Sequence, residues 1–578
     1  MRNLMMAISV FVEVLFLLFI QDFETYLYYY FNTGNEYYIN SESNASNIEL
    51  GTQKYPFKNL DDAFREIVNF FNLESATPNI TIYFYQNTTT NLFYLKMPIV
   101  AINTNLTFLP YTDSAQQQNQ TLIYPRILVI EQPYQRIGSS FNPTLYQNGS
   151  IIDFDLKTRV NQNLIDASEL TRIKYKFHFY NSGVYMKNIR LEDGVLPTYY
   201  TISGLISGYL SPFKWIVIDE CYIYLYFHIL FTQNSGNNII VKNSYWDTSR
   251  NVLSIFQVGS QDCNMIIQDQ LQGQCIFDNN TIVGSAQVGQ NALLYTLQKL
   301  NITFTNNRLV DLKWRNPYKV FMHESFYQVC NFDQQAYIRV ENNTFTYSKP
   351  GIGYIGFSYK LLYIPRYFVT IIFKGNVFNN NTYDQSGLIN FYQEDQRNFK
   401  VIFENNQFNF MQNVIYEQKL IIIQAEYLSF KNNTINGGII SSGVYAKAFS
   451  GNIEGFQILN IQSFITTSIL NSLLIIETSK SRAVYLIDIK NVTINDFNVE
   501  DSITNGNDLI FLSAPENYEL ANLRIKNVTN LNKNKQFKHL EQFWQQIFDL
   551  SNFKYKLDCC KFNFYIKLWA NRWVSAIQ

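Results

Sequence analysis

Four acidic doublets are the residues best suited by type to acid–base chemistry: Asp61/Asp62, Asp219/Glu220, Glu394/Asp395 and Glu500/Asp501. Cleavage of a glycosidic bond takes two carboxyl groups with separate acid and base roles. Adjacent residues of an extended stretch point to opposite faces, so a doublet does not by itself aim two carboxyls at one bond. Solvated pairs are the expected reading. Histidine offers no second route, because His178, His228, His323 and His539 share no metal-ligand spacing with one another or with a cysteine. That argues against a transition-metal site and against a Ser–His arrangement. No glycine-rich loop lies beside a lysine to cradle phosphate. No catalytic residue, cofactor or metal is therefore expected.

The elements that would position any site are set by a recurring phrase: apolar, any, apolar, any, Asn, any, any, apolar. Its anchors are Asn188, Asn243, Asn279, Asn306, Asn342, Asn405, Asn432 and Asn491, with weaker copies at Asn460 and Asn527. Gly375 and Glu220 take the anchor place in two further copies. Two apolar residues two apart are a strand showing one face to a core. Asn and Gly share the ability to enter left-handed backbone space cheaply, so the anchor reads as an obligatory tight bend. Anchors recur every 23 to 36 residues, the period of solenoid coils with loops of variable length. Stacked anchor amides are expected to hydrogen-bond to one another, as in other ladders of asparagine.

In this period and corner the chain resembles right-handed parallel β-helix proteins of the pectin-lyase-like superfamily, over roughly residues 51 to 531. The start agrees with that resemblance: Gly51-Thr52 and Pro56-Phe57 precede a short helix whose apolar face is Leu60, Ala63, Phe64, Ile67, Val68 and Phe71. A second helical spacing, Phe537, Leu540, Phe543, Trp544, Ile547 and Phe548, implies a cap at the other end. The fold class is thus all-β, a right-handed parallel β-helix with short helical caps. The alternative is a leucine-rich-repeat solenoid, obtained when the second Asn of the doublets (Asn280, Asn307, Asn343, Asn406, Asn433) is the anchor. Against it, Gln335, Asn398 and Ala425 stand where that repeat needs leucine. The resemblance implies lyase or hydrolase activity on polysaccharide, but its motifs are poorly met. Arg172-Ile173-Lys174 and Arg524-Ile525-Lys526 match one short signature, and no Gly-His-Gly exists. Ile218-Asp219-Glu220-Cys221 supplies too few oxygen ligands for calcium.

Lys and Arg number 45 against 46 Asp and Glu in 578 residues, so the basic field that nucleic-acid binding needs is missing. Residues 1–22, with an apolar run from Leu4 to Ile20, read as a signal peptide or uncleaved signal anchor, which predicts a secreted or cell-surface protein with membrane association through the anchor in the second case. Residues 23–50 are expected to be a mobile polar lead-in, 51–535 the solenoid with its first cap, and 536–578 the second cap and a basic, aromatic tail. Cys263 and Cys275 bracket a Gln-rich insert and are either a disulfide or two thiols. Of thirteen Asn-x-Ser/Thr sequons, Asn44, Asn87, Asn119 and Asn148 lie in loops and are the glycan candidates, whereas sequons on anchors are expected to be locked away in the stack. The function expected is a structural or adhesive module that binds glycan or extracellular protein along its sides, with Tyr245 among the rings able to stack on sugar. The alternative is a polysaccharide lyase or glycoside hydrolase.

Overall fold

The fold is taken from a computed structural model. It describes the strands named below and, between them, residues 35–43, 49–60, 63, 79–86, 104–111, 182–193, 215–225, 238–249, 274–284, 301–311, 334–347, 367–381, 388–393, 399–410 and 415–459. The chain is an all-β, right-handed parallel β-helix. It divides into two compact units, one of Met1–Ile202 with Ser211–Tyr222 and the other of Ser203–Leu210 with Ile223–Gln578.

In the first unit, Glu36–Ile39, Asn79–Tyr85, Asn105–Tyr111, Gly183–Lys187 and Trp215–Asp219 stack as one parallel column. Parallel pairing thus starts at Glu36, inside the segment expected to be a mobile lead-in. Its alternation explains why: Tyr37 and Ile39 are buried and lie beside Ile82 and Phe84 of the next coil. Leu92–Leu95, Arg126–Val129 and Arg190–Asp193 form a second column. Ile99–Ile102 pairs antiparallel with Ser150–Asp153. Gly51 adopts φ 69° with the Phe57 ring against it, so a Cβ there would collide with the ring. Leu60 and Ala63 are fully buried and the Ala63 N–H donates to Asn59 O, the first turn of the expected cap helix. The rest of that helix and the whole second cap lie outside the described residues.

The second unit has three columns. The first runs through Asn238–Lys242, Gln274–Asp278, Asn301–Thr305, Gln334–Glu341, Tyr367–Lys374 and Phe399–Glu404, then the ends of the long strands Ile415–Lys431 and Ile439–Glu454. After a two-residue corner, three-residue strands form the second: Tyr245–Asp247, Thr281–Val283, Arg308–Val310, Thr344–Thr346, Val377–Asn379, Gln407–Asn409, Thr434–Asn436 and Gln457–Leu459. The third contains His228–Thr232, Phe256–Val258, Ala292–Leu297, Lys319–Ser325, Phe357–Leu361 and Ile389–Gln393. Sheets on every side of the coil are the β-helix arrangement, and the leucine-rich alternative falls with them.

The core is made of like residues in register. Ile338, Ile371, Val401 and Leu428 form one inward row, and Val340, Phe373, Phe403 and Phe430 the next, all at most 1% exposed. Phe373, Phe403 and Phe430 stack with centroids 4.9 and 5.2 Å apart. Past the corner Phe345, Phe378 and Phe408 stack at 4.6 and 4.8 Å. Identical rings one coil apart lie within 11° of parallel, because the strand spacing of about 4.8 Å also suits parallel rings. Ile487 and Ile489, expected in the same core, lie outside the described residues.

Candidate functional site

Each corner carries two residues with opposite environments. The first is the anchor: Asn188, Glu220, Asn243, Asn279, Asn306, Asn342, Asn405 and Asn432 have φ between 50 and 56°, and Gly375 and Gly455 have φ 65 and 62°. Their N–H groups continue the sheet, as when Asn405 N donates to Lys431 O. From Asn243 to Asn432 the anchor asparagines are exposed. The second corner residue turns inward, and from Asn280 to Asn433 it is an asparagine at most 1% exposed: Asn280, Asn307, Asn343, Asn376, Asn406 and Asn433.

The amide ladder therefore stands one residue beyond the place expected for it. Asn343 Oδ1 accepts from both the backbone N–H and the Nδ2 of Asn307, at 2.8 and 3.0 Å. Asn343 Nδ2 donates to Asn376 Oδ1 and to Phe304 O. The same pattern repeats through Asn376, Asn406 and Asn433. A sharp bend takes one N–H and one carbonyl per coil out of sheet pairing, and a buried backbone group left alone is costly. One carboxamide, with donor and acceptor at opposite ends, supplies both. A lysine, which has no acceptor, or an apolar residue could not.

Several sequence expectations shift accordingly. Asn491 lies in the strand Asn491–Asn495, in register with Ser450–Glu454, so it begins a strand and is not a corner. The corner assigned to Asn460 is made by Gly455, with Phe456 in the inward place; Asn460 itself lies outside the described residues, as does Asn527. Leu523–Lys526, just before Asn527, pairs with the post-corner strand Asn498–Glu500. The Asn460 phrase falls on the post-corner strand Gln457–Leu459, and the Asn491 phrase ends where the pre-corner strand begins. A second left-handed corner at Gly284, Asp311, Asn380 and Gly437 follows the short strands. Its only signal was a Gly, Asp or Asn placed five residues after the anchor.

Cys275 is a thiol fully buried in the inward row between Ile239 and Ile302, where a small hydrophobe fits. Cys263 lies outside the described residues, as do Asn44, Asn87, Asn119 and Asn148. Among the described residues no three His, Cys, Asp or Glu gather in a way that could hold a metal ion. Asp219 is buried and Glu220 pairs with Lys187 at 3.7 Å, so this doublet is divided between two environments.

What the outward faces offer is aromatic surface. In the first unit, Tyr38, Tyr83, Tyr85 and Tyr111 form one cluster, with Tyr38 stacked on Tyr83 at 4.9 Å and edge-on to Tyr111 at 5.2 Å. Gln53 bonds the Tyr111 hydroxyl through its side chain and accepts from Tyr85 OH through its carbonyl. Partial burial, then the Glu36 carboxylate, push the Tyr38 phenol up to about 12. In the second unit, the first column exposes Tyr337, Phe368 and Tyr427 by 40, 47 and 37%. Tyr337 shares an outward row with Thr370, Lys400 and Tyr427, one residue per coil. Lys400 Nζ lies 5.2 Å from the Tyr427 ring centre. Beside that row, Glu341, Lys374, Glu404, Lys431 and Glu454 follow one another, with Lys374–Glu404 at 3.8 Å and Lys431–Glu454 at 3.0 Å. Such exposed pairs are screened by solvent and contribute little to stability. Tyr245, also exposed, lies on the short-strand column.

No family model matches the chain, and no curated protein matches it. Among solved structures, the chain is similar to the GH136 lacto-N-biosidase from Eubacterium ramulus at 9% identity and a TM-score of 0.22. That match covers 86% of this chain and 65% of the other, so it spans slightly less than two thirds of that protein's length.

Proposed function

We propose that this protein is a secreted or surface-displayed β-helix that acts as a structural or adhesive module, holding an extended glycan, or an extracellular protein, against the outer face of the first column in its second unit. The observation that carries this reading is the array of Tyr337, Phe368 and Tyr427 exposed on a sheet face beside an alternating row of charges. A flat ring with a polar edge suits the apolar face of a sugar ring, and the charged row supplies donors and acceptors for hydroxyls. Tyr337 and Tyr427 are three coils apart, roughly 14 Å at the usual strand spacing, so one chain-like ligand lying along the coils meets both. The backbone beneath is a paired sheet, which keeps the rings in place before binding and lowers its entropic cost.

A glycan-array screen of the purified chain, run beside an assay for release of reducing or unsaturated ends from polysaccharide, tests the reading. Binding without degradation is expected. Tyr337→Ala with Tyr427→Ala should weaken that binding about tenfold, equivalent to about 1.4 kcal/mol. Unchanged binding in the double variant, or polymer degradation lost on one acidic substitution, refutes it.

A further inference from the structure

We infer that Asn342 and Asn432, two corner anchors, are sites of N-linked glycan attachment. Both open a sequon, Asn342-Asn343-Thr344 and Asn432-Asn433-Thr434. Both are exposed in a left-handed corner, while the asparagine that follows each is buried in the ladder. The division of labour leaves the ladder intact when the first amide is modified.

The neighbouring coil sets these two apart from the sequon asparagines Asn105 and Asn279. Asn105 Nδ2 donates to Asn79 Oδ1, and Asn279 Nδ2 donates to Asn243 Oδ1, each at 2.8 Å. Asn342 and Asn432 are instead followed, one coil on, by Gly375 and Gly455. Their carboxamide oxygens lie where a Cβ at those glycines would be, so any other residue there would displace them. With Oδ1 settled against glycine, Nδ2 has no hydrogen-bond partner among the described residues. The transfer joins Nδ2 to the anomeric carbon of a lipid-diphosphate-linked oligosaccharide. The bond from that carbon to the diphosphate breaks, the lipid diphosphate leaves, and one amide proton is lost.

The inference rests on the extracellular reading above, and the test separates the two. The full chain is expressed through the secretory route of a eukaryotic host. Glycans are removed enzymatically in heavy-oxygen water, so that each modified Asn becomes a labelled Asp in peptide mass analysis. Label is expected at Asn342 and Asn432, with loss at the first alone in Thr344→Val and at the second alone in Thr434→Val. Label at sequons such as Asn44 or Asn148 but at neither corner overturns this inference and leaves the secretory reading standing. Absence of label at every sequon overturns both.

Discussion

The two units solve the same corner with different chemistry. In the second, six consecutive coils from Asn280 to Asn433 fill the inward corner place with asparagine, each amide bonded to a carbonyl of the coil before and, up to Asn406, to the next amide. In the first, the equivalent residues are Ile189 and Cys221, both buried. Cys221 Sγ lies 3.5 Å from Met186 O, which is the carbonyl that an asparagine Nδ2 would meet. The Ile189 N–H reaches Cys221 as the N–H before each ladder rung reaches Oδ1, and burial pushes the thiol up to about 12. A weak S–H donor, which also lies 3.3 Å from Asp219 O, thus stands in for part of a carboxamide. The corner bend needs only the left-handed anchor, while the inward place can be filled by apolar packing, by sulfur or by an amide. The amide's added contribution is to pair the backbone groups that the bend releases.

The strongest test of that difference is Asn376→Leu, at the middle of the ladder. It removes the acceptor for the N–H and Nδ2 of Asn343 and the donor to Val340 O. Several buried polar groups lose partners at once, so denaturant unfolding should show a loss of about 3 kcal/mol or more. A loss below about 1 kcal/mol would mean that packing alone holds these corners, as at Ile189.

A smaller effect is expected at the anchors. Gly375→Ala adds a Cβ that collides with Asn342 Oδ1 at φ 65°, and should cost about 1–2 kcal/mol of thermal or denaturant stability. Asn405→Gly keeps the bend and should cost less. Equal costs for the two would show that the outward amides matter as much as the backbone conformation.

The finest test converts one unit's corner toward the other's. Cys221→Asn should be neutral or stabilising by about 1 kcal/mol, because a donor to Met186 O and an acceptor for the Ile189 N–H are both wanted there. Cys221→Ala should destabilise by about the same amount. If the asparagine variant is the less stable of the two, the first unit's corner is too tight for a ladder rung, and the resemblance between the corners ends at the bend.

Much of this was legible in the chain. Inward pairs such as Val401/Phe403 and Leu428/Phe430 announce a strand by their spacing alone, and the anchor slot is shared by residues that tolerate positive φ. The ladder was misplaced by one position. Asn and Gly alternate at the anchor, whereas Asn376 follows Gly375 and so keeps the inward asparagine even where the anchor is glycine. That persistence was the available signal. Sequons on anchors, expected to be locked away, proved exposed for the same reason: Asn279, Asn342 and Asn432 face outward and their successors face in.

By itself the sequence determined the strand alternation, the bend and the approximate length of each coil, because these are local consequences of side-chain period and backbone sterics. Only the tertiary structure decided which asparagine is buried, which register brings Ile338, Ile371, Val401 and Leu428 into one row, and that Glu36–Ile39 opens the stack. Those features are relations between coils 23 to 78 residues apart, and inserts of variable length hide them from a reading along the chain. A hydrogen bond such as Asn343 Nδ2 to Asn376 Oδ1 exists only after both coils have closed, since neither residue can find that partner within its own strand.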